Sequence, residues 1–219
     1  MRLQHCLANK IQKLEYFKEK YTMNILVING SPRKNGNTEI MADVFIDTVQ
    51  KNGHSAEKIN LSETKVNPCI GCNYCKTHDG DCVQKDGMTD IYTAMDHADM
   101  VVFASPIYAF GLSAQMVALL NRFYSRIHTP GLHPKFSALL VDSGAPTVIP
   151  PEVSAKFKEA ASETQVPFAF SAAVDQYKKV SLVGGLADKG FVAIGGMREK
   201  GDMKDSPDLQ KIKDFALSL

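Results

Sequence analysis

Two short stretches of this chain hold residue types that do chemistry. The first is Pro68-Cys69-Ile70-Gly71-Cys72-Asn73-Tyr74-Cys75, closed by Cys82, which gathers four of the chain's five cysteines within fourteen residues. Thiolates so close together are costly unless something positive binds them, so Cys69, Cys72, Cys75 and Cys82 point to a metal centre or to redox thiols. The second is Gly30-Ser31-Pro32-Arg33-Lys34-Asn35-Gly36-Asn37-Thr38. Ser31, Asn37 and Thr38 offer hydroxyl and amide hydrogen bonds, and Arg33 brings a positive charge; together they suit an anion.

The elements around that second stretch explain how it would work. Ile25-Leu26-Val27-Ile28 is a continuous apolar run ended by Asn29-Gly30, as in a buried parallel strand. Ile40, Met41, Val44, Phe45 and Thr48 then recur at helical period until Gly53, a helix stop. The loop of Ser31, Arg33, Asn35, Gly36, Asn37 and Thr38 therefore lies where a strand hands over to a helix. Free amides and the positive end of the helix dipole make that place an anion site. No Gly-Lys-Ser/Thr ends the loop and no Gly-x-Gly-x-x-Gly runs through it, so the phosphate of a mononucleotide fits best. The alternative is a polar turn capped at Asn37 or Thr38.

Downstream, strands and helices alternate. A weaker strand is expected from Ala56 to Leu61, a helix from Thr89 to Ala98 and a strong strand from Met100 to Ala104, closed by Pro106. A helix carrying Met116, Leu119, Leu120 and Phe123 follows, then a strand from Phe136 to Val141. Residues from Pro150 to Leu182 read as helix in two pieces around Pro167, before a strand at Phe191 to Gly195 and a closing helix from Pro207 to Leu219. This order predicts an α/β protein of flavodoxin-like, three-layer form: a five-stranded parallel sheet with helices on both faces and ligands beyond the carboxyl ends of the strands. At that edge Tyr108 and Phe110 are placed to form a flat apolar wall with Pro106 and Ile107, and Gly111 lets backbone come close to a ring. Read alone, the two aromatics serve equally well as packing groups. Ser143 and Gly144 end the next strand on the same edge.

Composition narrows the choice of function. The chain has 219 residues, 24.0 kDa and a formal net charge of +1, which suits one domain and argues against binding nucleic acid by charge. No apolar run approaches the ~20 residues that span a bilayer, and no secretory leader is evident, so a cytoplasmic protein is expected. Residues 1–22 stand apart from the domain at 23–219 as an amphipathic arm bearing Ile11, Leu14, Phe17 and Tyr21, with Cys6 read as inert. His54, His78 and His97 read as surface groups, and the charged run Arg198 to Asp205 as a solvated face.

Cys69-x2-Cys72-x2-Cys75 is the spacing by which bacterial ferredoxins place three ligands of a [4Fe–4S] cluster; their fourth ligand is remote, whereas here Cys82 would close the cage, with Gly71 and Gly80 easing the backbone around it. Zinc could use the same four thiolates, although structural zinc more often takes paired units further apart. A Cys69–Cys72 redox disulfide would leave Cys75 and Cys82 unexplained.

The Ser31–Thr38 loop resembles the FMN-phosphate loop of the flavodoxin-like NAD(P)H-dependent FMN reductases. The stretch Ser105 to Gly111 resembles the segment that lies along the isoalloxazine ring in those proteins, and the likeness runs from about Met23 to the C-terminus, including Gly195 to Asp202. Within that group the cysteine run resembles the iron–sulfur flavoproteins. The resemblance implies FMN held by Ser31, Arg33, Asn35, Gly36, Asn37, Thr38, Pro106, Ile107, Tyr108, Phe110, Ser143 and Gly144, with NAD(P)H as co-substrate. It implies a flavin oxidoreductase passing electrons between NAD(P)H or a reduced carrier and an acceptor, through a cluster on Cys69, Cys72, Cys75 and Cys82. Some relatives have cysteine loops without a cluster, which keeps a cluster-free FMN or quinone reductase open. The chain has no tryptophan, so Trp stacking on a ring is excluded. The resemblance also implies a homo-oligomer, dimer or tetramer, served by a ferredoxin-type carrier. The rival from another class is a non-enzymatic ligand-binding module with structural zinc.

Overall fold

The computed structural model describes residues 22–127, 131–147 and 166–219. Most of the expected arm, with Cys6, and the first helical piece after Pro150 lie outside the described residues. In chain order the elements are β1 (Asn24–Asn29), α1 (Asn37–Lys51), β2 (Ser55–Asn60), α2 (Met88–Asp96), β3 (Met100–Tyr108), β4 (Gly111–Leu112), α3 (Ala114–Arg122), β5 (Phe136–Asp142), α4 (Phe168–Val183), β6 (Ala187–Ile194) and α5 (Leu209–Leu217). The sheet order is β2-β1-β3-β5-β6, parallel throughout, with β4 paired antiparallel to β3.

Apolar runs form the central strands because both of their faces are covered. On one face Ile25, Val27, Val102 and Leu140 meet Met41, Phe45 and Val49 of α1 and Ile212 of α5. On the other, Leu26, Ile28, Val101, Phe103 and Leu139 meet Ile91 and Met95 of α2, Leu119 of α3 and Phe170 and Tyr177 of α4. Successive residues of one strand thus feed opposite cores. The three-layer flavodoxin-like architecture is as the alternation of elements predicts.

Three local expectations are corrected. Pro106 does not end β3: Ser105 and Pro106 stay in register with Val141 and Asp142, and Ile107 and Tyr108 fold back on Leu112 and Gly111. Proline lacks a ladder donor, but here the strand is changing partners, from β5 to its own hairpin. The last strand begins at Ala187 rather than Phe191, since a bulge opposite Ser137–Leu139 lets the polar run Ala187–Gly190 join the edge. The Arg198 to Asp205 run is not simply solvated, because Met203 is fully buried and Asn37 holds its backbone.

Candidate functional site

Ser31, Arg33, Asn37, Thr38, Pro106, Ile107, Tyr108, Ser143 and Gly144 line one cleft at the carboxyl ends of β1, β3 and β5, together with Asp142 and Met197. Local chemistry builds it. The Asn29 side-chain carbonyl accepts from the Ser31 amide, and the Ser31 hydroxyl accepts from the Arg33 amide, so the turn is held from below. Helix α1 starts at Gly36 without a side-chain cap, and the first amide bonded back is that of Ile40, to the Gly36 carbonyl. The amides of Asn37, Thr38 and Glu39 therefore have no intrahelical partner. Arg33 has no salt bridge among the described residues. Orphan amides and an unpaired guanidinium beside one cleft fit a phosphate monoester.

Not every expected residue enters the cleft. The Asn35 amide donates to the Glu39 carboxylate and the Gly36 amide to the Arg33 carbonyl, so these two shape the turn from outside. Asn37 lines the cleft, yet its side chain is committed: it donates to the Glu199 carbonyl and accepts from the Gly201 and Met203 amides. Its part is to pin the C-terminal loop to the helix start.

The ledge comes from the β3–β4 hairpin. Ala109 and Phe110, at its two central positions, both have positive φ (48° and 66°), as a two-residue hairpin demands. Neither is glycine, so each costs about 1–3 kcal/mol. The turn presents Tyr108 and Phe110 half-exposed, with Phe110 against Phe168 at 5.4 Å between ring centroids and outside the cleft. Ser113 ties ledge to loop: its hydroxyl donates to the Gly30 carbonyl and accepts from the Met116 amide to cap α3. A Cβ at Gly30 would sit 3.0 Å from Ser113 Oγ and Met116 Cβ, so glycine permits this approach.

Asp142 was not singled out by the sequence. It is 5% exposed, and its carboxylate accepts from the Thr38 hydroxyl. Burial pushes its pKa up to about 6, against the lowering pull of Thr38 and Arg33. The cleft therefore has an acidic floor. Its only sequence signal is position, at the end of β5 beside Ser143.

The cysteine loop is built differently. Cys69, Cys72, Cys75 and Cys82 are free thiols lining a second pocket with Arg122 and Tyr124. Gly71, Asn73, Asp79 and Gly80 all have positive φ, which curls the chain around that pocket. Among the described residues no three His, Cys, Asp or Glu side chains converge as metal ligands. His78 stacks on Tyr74 and its Nδ1 donates to the Tyr74 carbonyl, within the loop itself. The donor chemistry, four thiols around one hollow with a cation behind, fits an iron–sulfur cluster.

Arg122, the last residue of α3, was also not foreseen. Its side chain is 1% exposed and pairs with Asp86 at 2.8 Å. It also donates to the Asn67 and Gln84 carbonyls, clasping both ends of the cysteine loop. Asp86 in turn accepts from the Asn67 and Met88 amides. Burial works to raise the Asp86 carboxyl, but Arg122 and those amides outweigh it and hold it below the ordinary carboxylate value. At sequence level a basic residue ending a helix looks like a dipole partner, so nothing marked it as buried. A roomier hollow of about 330 Å3 lies at the opposite ends of β1 and β2, among Asn24, Ser55, Glu57 and His97, far from either cluster.

The chain is similar to known proteins in both sequence and fold. A family model described as NADPH-dependent FMN reductase matches residues 23–147, a span holding both loops, the aromatic ledge and Ser143–Gly144. An iron–sulfur flavoprotein of Archaeoglobus fulgidus is 35% identical over 119 residues, 54% of this chain and 54% of that protein. One from Methanocaldococcus jannaschii is 38% identical over 100 residues, 46% of this chain and 51% of that protein. The chain thus spans about half the length of the curated relatives it matches. An NAD(P)H:quinone oxidoreductase from Methanothermobacter marburgensis shares the fold at a TM-score of 0.67 and 13% identity, covering 90% of this chain and 96% of that one.

Proposed function

The chain belongs to the NADPH-dependent FMN reductase family, and on that premise we propose that it is a flavin-dependent oxidoreductase whose cysteine loop holds a [4Fe–4S] cluster. The observation that carries the flavin assignment is the uncapped start of α1 beside unpaired Arg33, in one cleft with Pro106, Ile107 and Tyr108. The free amides of Asn37 and Thr38 would take the phosphate oxygens and Arg33 would neutralise their charge. Pro106, Ile107 and Tyr108 would line one side of the ring, with Ser143, Gly144 and Met197 opposite. Bound flavin supplies the exchange of a hydride's electron pair for single electrons. The chain's residues bind and orient; none of them is needed as acid, base or nucleophile.

For the cluster, the supporting observations are the four free thiols on one pocket and the likeness to iron–sulfur flavoproteins. Cys69, Cys72, Cys75 and Cys82 would be its ligands. The proposal extends to a cytoplasmic homo-oligomer using NAD(P)H or a ferredoxin-type carrier as donor. A second reading, a cluster-free FMN or quinone reductase, is favoured by the lack of a converged ligand set among the described residues.

Anaerobic purification with an absorption spectrum, FMN titration and iron and acid-labile sulfide analysis separates these readings. Stoichiometric FMN with about four irons and four sulfides per chain is the expected result. FMN without iron selects the cluster-free reductase. Failure to bind FMN sinks the assignment, and zinc without flavin would leave the non-enzymatic module.

A further inference from the structure

Arg122 has a nitrogen left without a partner. Its two terminal nitrogens are committed, Nη1 to Asp86 and the Asn67 carbonyl and Nη2 to the Gln84 carbonyl. Its Nε is the buried side-chain polar atom with no partner among the described residues. A buried N–H on a charged group is rarely left unsatisfied, and such an orphan asks for an absent acceptor. The same residue lines the pocket of Cys69, Cys72, Cys75 and Cys82. The residue with the unpartnered nitrogen and the four cysteines therefore share one hollow.

We infer that the Arg122 Nε–H donates a hydrogen bond to an anionic sulfur in this pocket, a cysteine thiolate or an inorganic sulfide of a bound cluster, and so sets the cluster's potential. The inference rests on the cluster reading proposed above. Arg122 acts as a positioning residue that does three jobs at once: it clasps the loop through Asn67 and Gln84, holds Asp86, and turns its unpartnered Nε–H to the sulfurs. A cation with an N–H directed at sulfur stabilises the more negative, reduced state, so it raises the reduction potential. Lysine at this position keeps the positive charge but has neither the planar fork nor an Nε–H to spare.

The anaerobic protein with its cluster in place is the test material. Protein labelled with 15N-arginine and reduced should show hyperfine coupling from one arginine nitrogen to the cluster by pulsed electron paramagnetic resonance, and Arg122→Lys should remove it. Potentiometric titration of Arg122→Lys should show about a tenfold fall in the equilibrium constant for reduction, ~59 mV for one electron. An unlabelled-like spectrum in the 15N wild type overturns the inference, as does an unchanged potential in an iron-replete variant. If the variant loses iron, the wild-type coupling alone decides. Wild type that takes up no iron or sulfide on reconstitution is a different result: it removes the cluster reading, and this inference with it.

Discussion

The phosphate loop and the cysteine loop both hang from the same sheet, yet they are made in opposite ways. The first is a product of regular structure: β1 delivers it, α1 receives it, and Ser31, Asn37 and Thr38 are all buried. The donors it offers are mostly backbone amides, fixed in place by the start of α1. The second lies between β2 and α2 with little regular structure beyond a single 3-10 turn at Tyr74–Thr77. Cys69 and Cys72 are exposed, and order comes from behind, through Arg122 and Asp86. A site made of backbone is ready-formed; a site made of side chains on a clasped loop is completed by what it binds. Helix α3 joins the two, running from Ser113 at the phosphate-loop side to Arg122 at the cysteine pocket. Nine residues at 1.5 Å rise place its ends about 13 Å apart.

If that contrast is right, the loops should fail separately. The largest effect is expected from Cys72→Ser, which should abolish iron and labile sulfide while FMN stays stoichiometric; retained iron would show that four-cysteine ligation is mistaken. Next comes the clasp. Asp86→Asn strands a buried guanidinium, a loss of roughly 3–5 kcal/mol by analogy with broken buried pairs. Urea or thermal unfolding should show it, and an unaltered midpoint would mean that the pair does not hold the loop.

The same contrast explains what could be read from the sequence. Strands β1, β3 and β5 were legible because a strand covered on both faces must be apolar throughout, and Ile25–Ile28, Met100–Ala104 and Phe136–Val141 are. The place of the Ser31–Thr38 loop was legible because an apolar run followed by a helical period fixes a strand end and a helix start on either side of it. Four cysteines at that density announced themselves, though not what they hold. Asp142 and Arg122 were not legible. Each is an ordinary charged residue at the end of an element, and only burial against elements distant in sequence changes its meaning. The run of β3 through Pro106 was hidden for a related reason, since it depends on a hairpin that takes over the pairing. Asn37 does line the cleft, but its side-chain amide is spent on a loop 162 residues away, which its residue type does not reveal.

On the phosphate side the expected effects are smaller, because the amides remain when a side chain is cut. Arg33→Ala should weaken FMN binding by about tenfold, the lower end of the range for a hydrogen bond to a charged group, as Arg33 is solvent-exposed. Fluorescence titration reads this directly, and iron content should not change. Equal loss of flavin and iron would mean that the loops are not independent.

The finest test of the comparison is the acidic floor. With its pKa near 6, Asp142 is mostly ionised at neutral pH, and an incoming phosphate would share a buried space with that charge. Binding should then draw a proton onto Asp142, so affinity attributable to this group falls as pH rises through about 6. Asp142→Asn keeps an acceptor for the Thr38 hydroxyl and removes the charge. Half a pKa unit of coupling is about threefold in affinity, so the variant should bind FMN about threefold more tightly at pH 8 and match the wild type near pH 5. The phosphate's own titration is common to both proteins and cancels in the ratio. Stability gives an independent check on the sign. A carboxyl whose folded pKa lies above its ordinary ~3.9 favours folding at low pH, and that contribution is lost as pH rises through 4 to about 6. The unfolding free energy of the variant relative to wild type should therefore grow across that window. A flat ratio of affinities with a normal stability profile would place Asp142 outside the reach of the anion, and the cradle would then be one of amides and Arg33 alone.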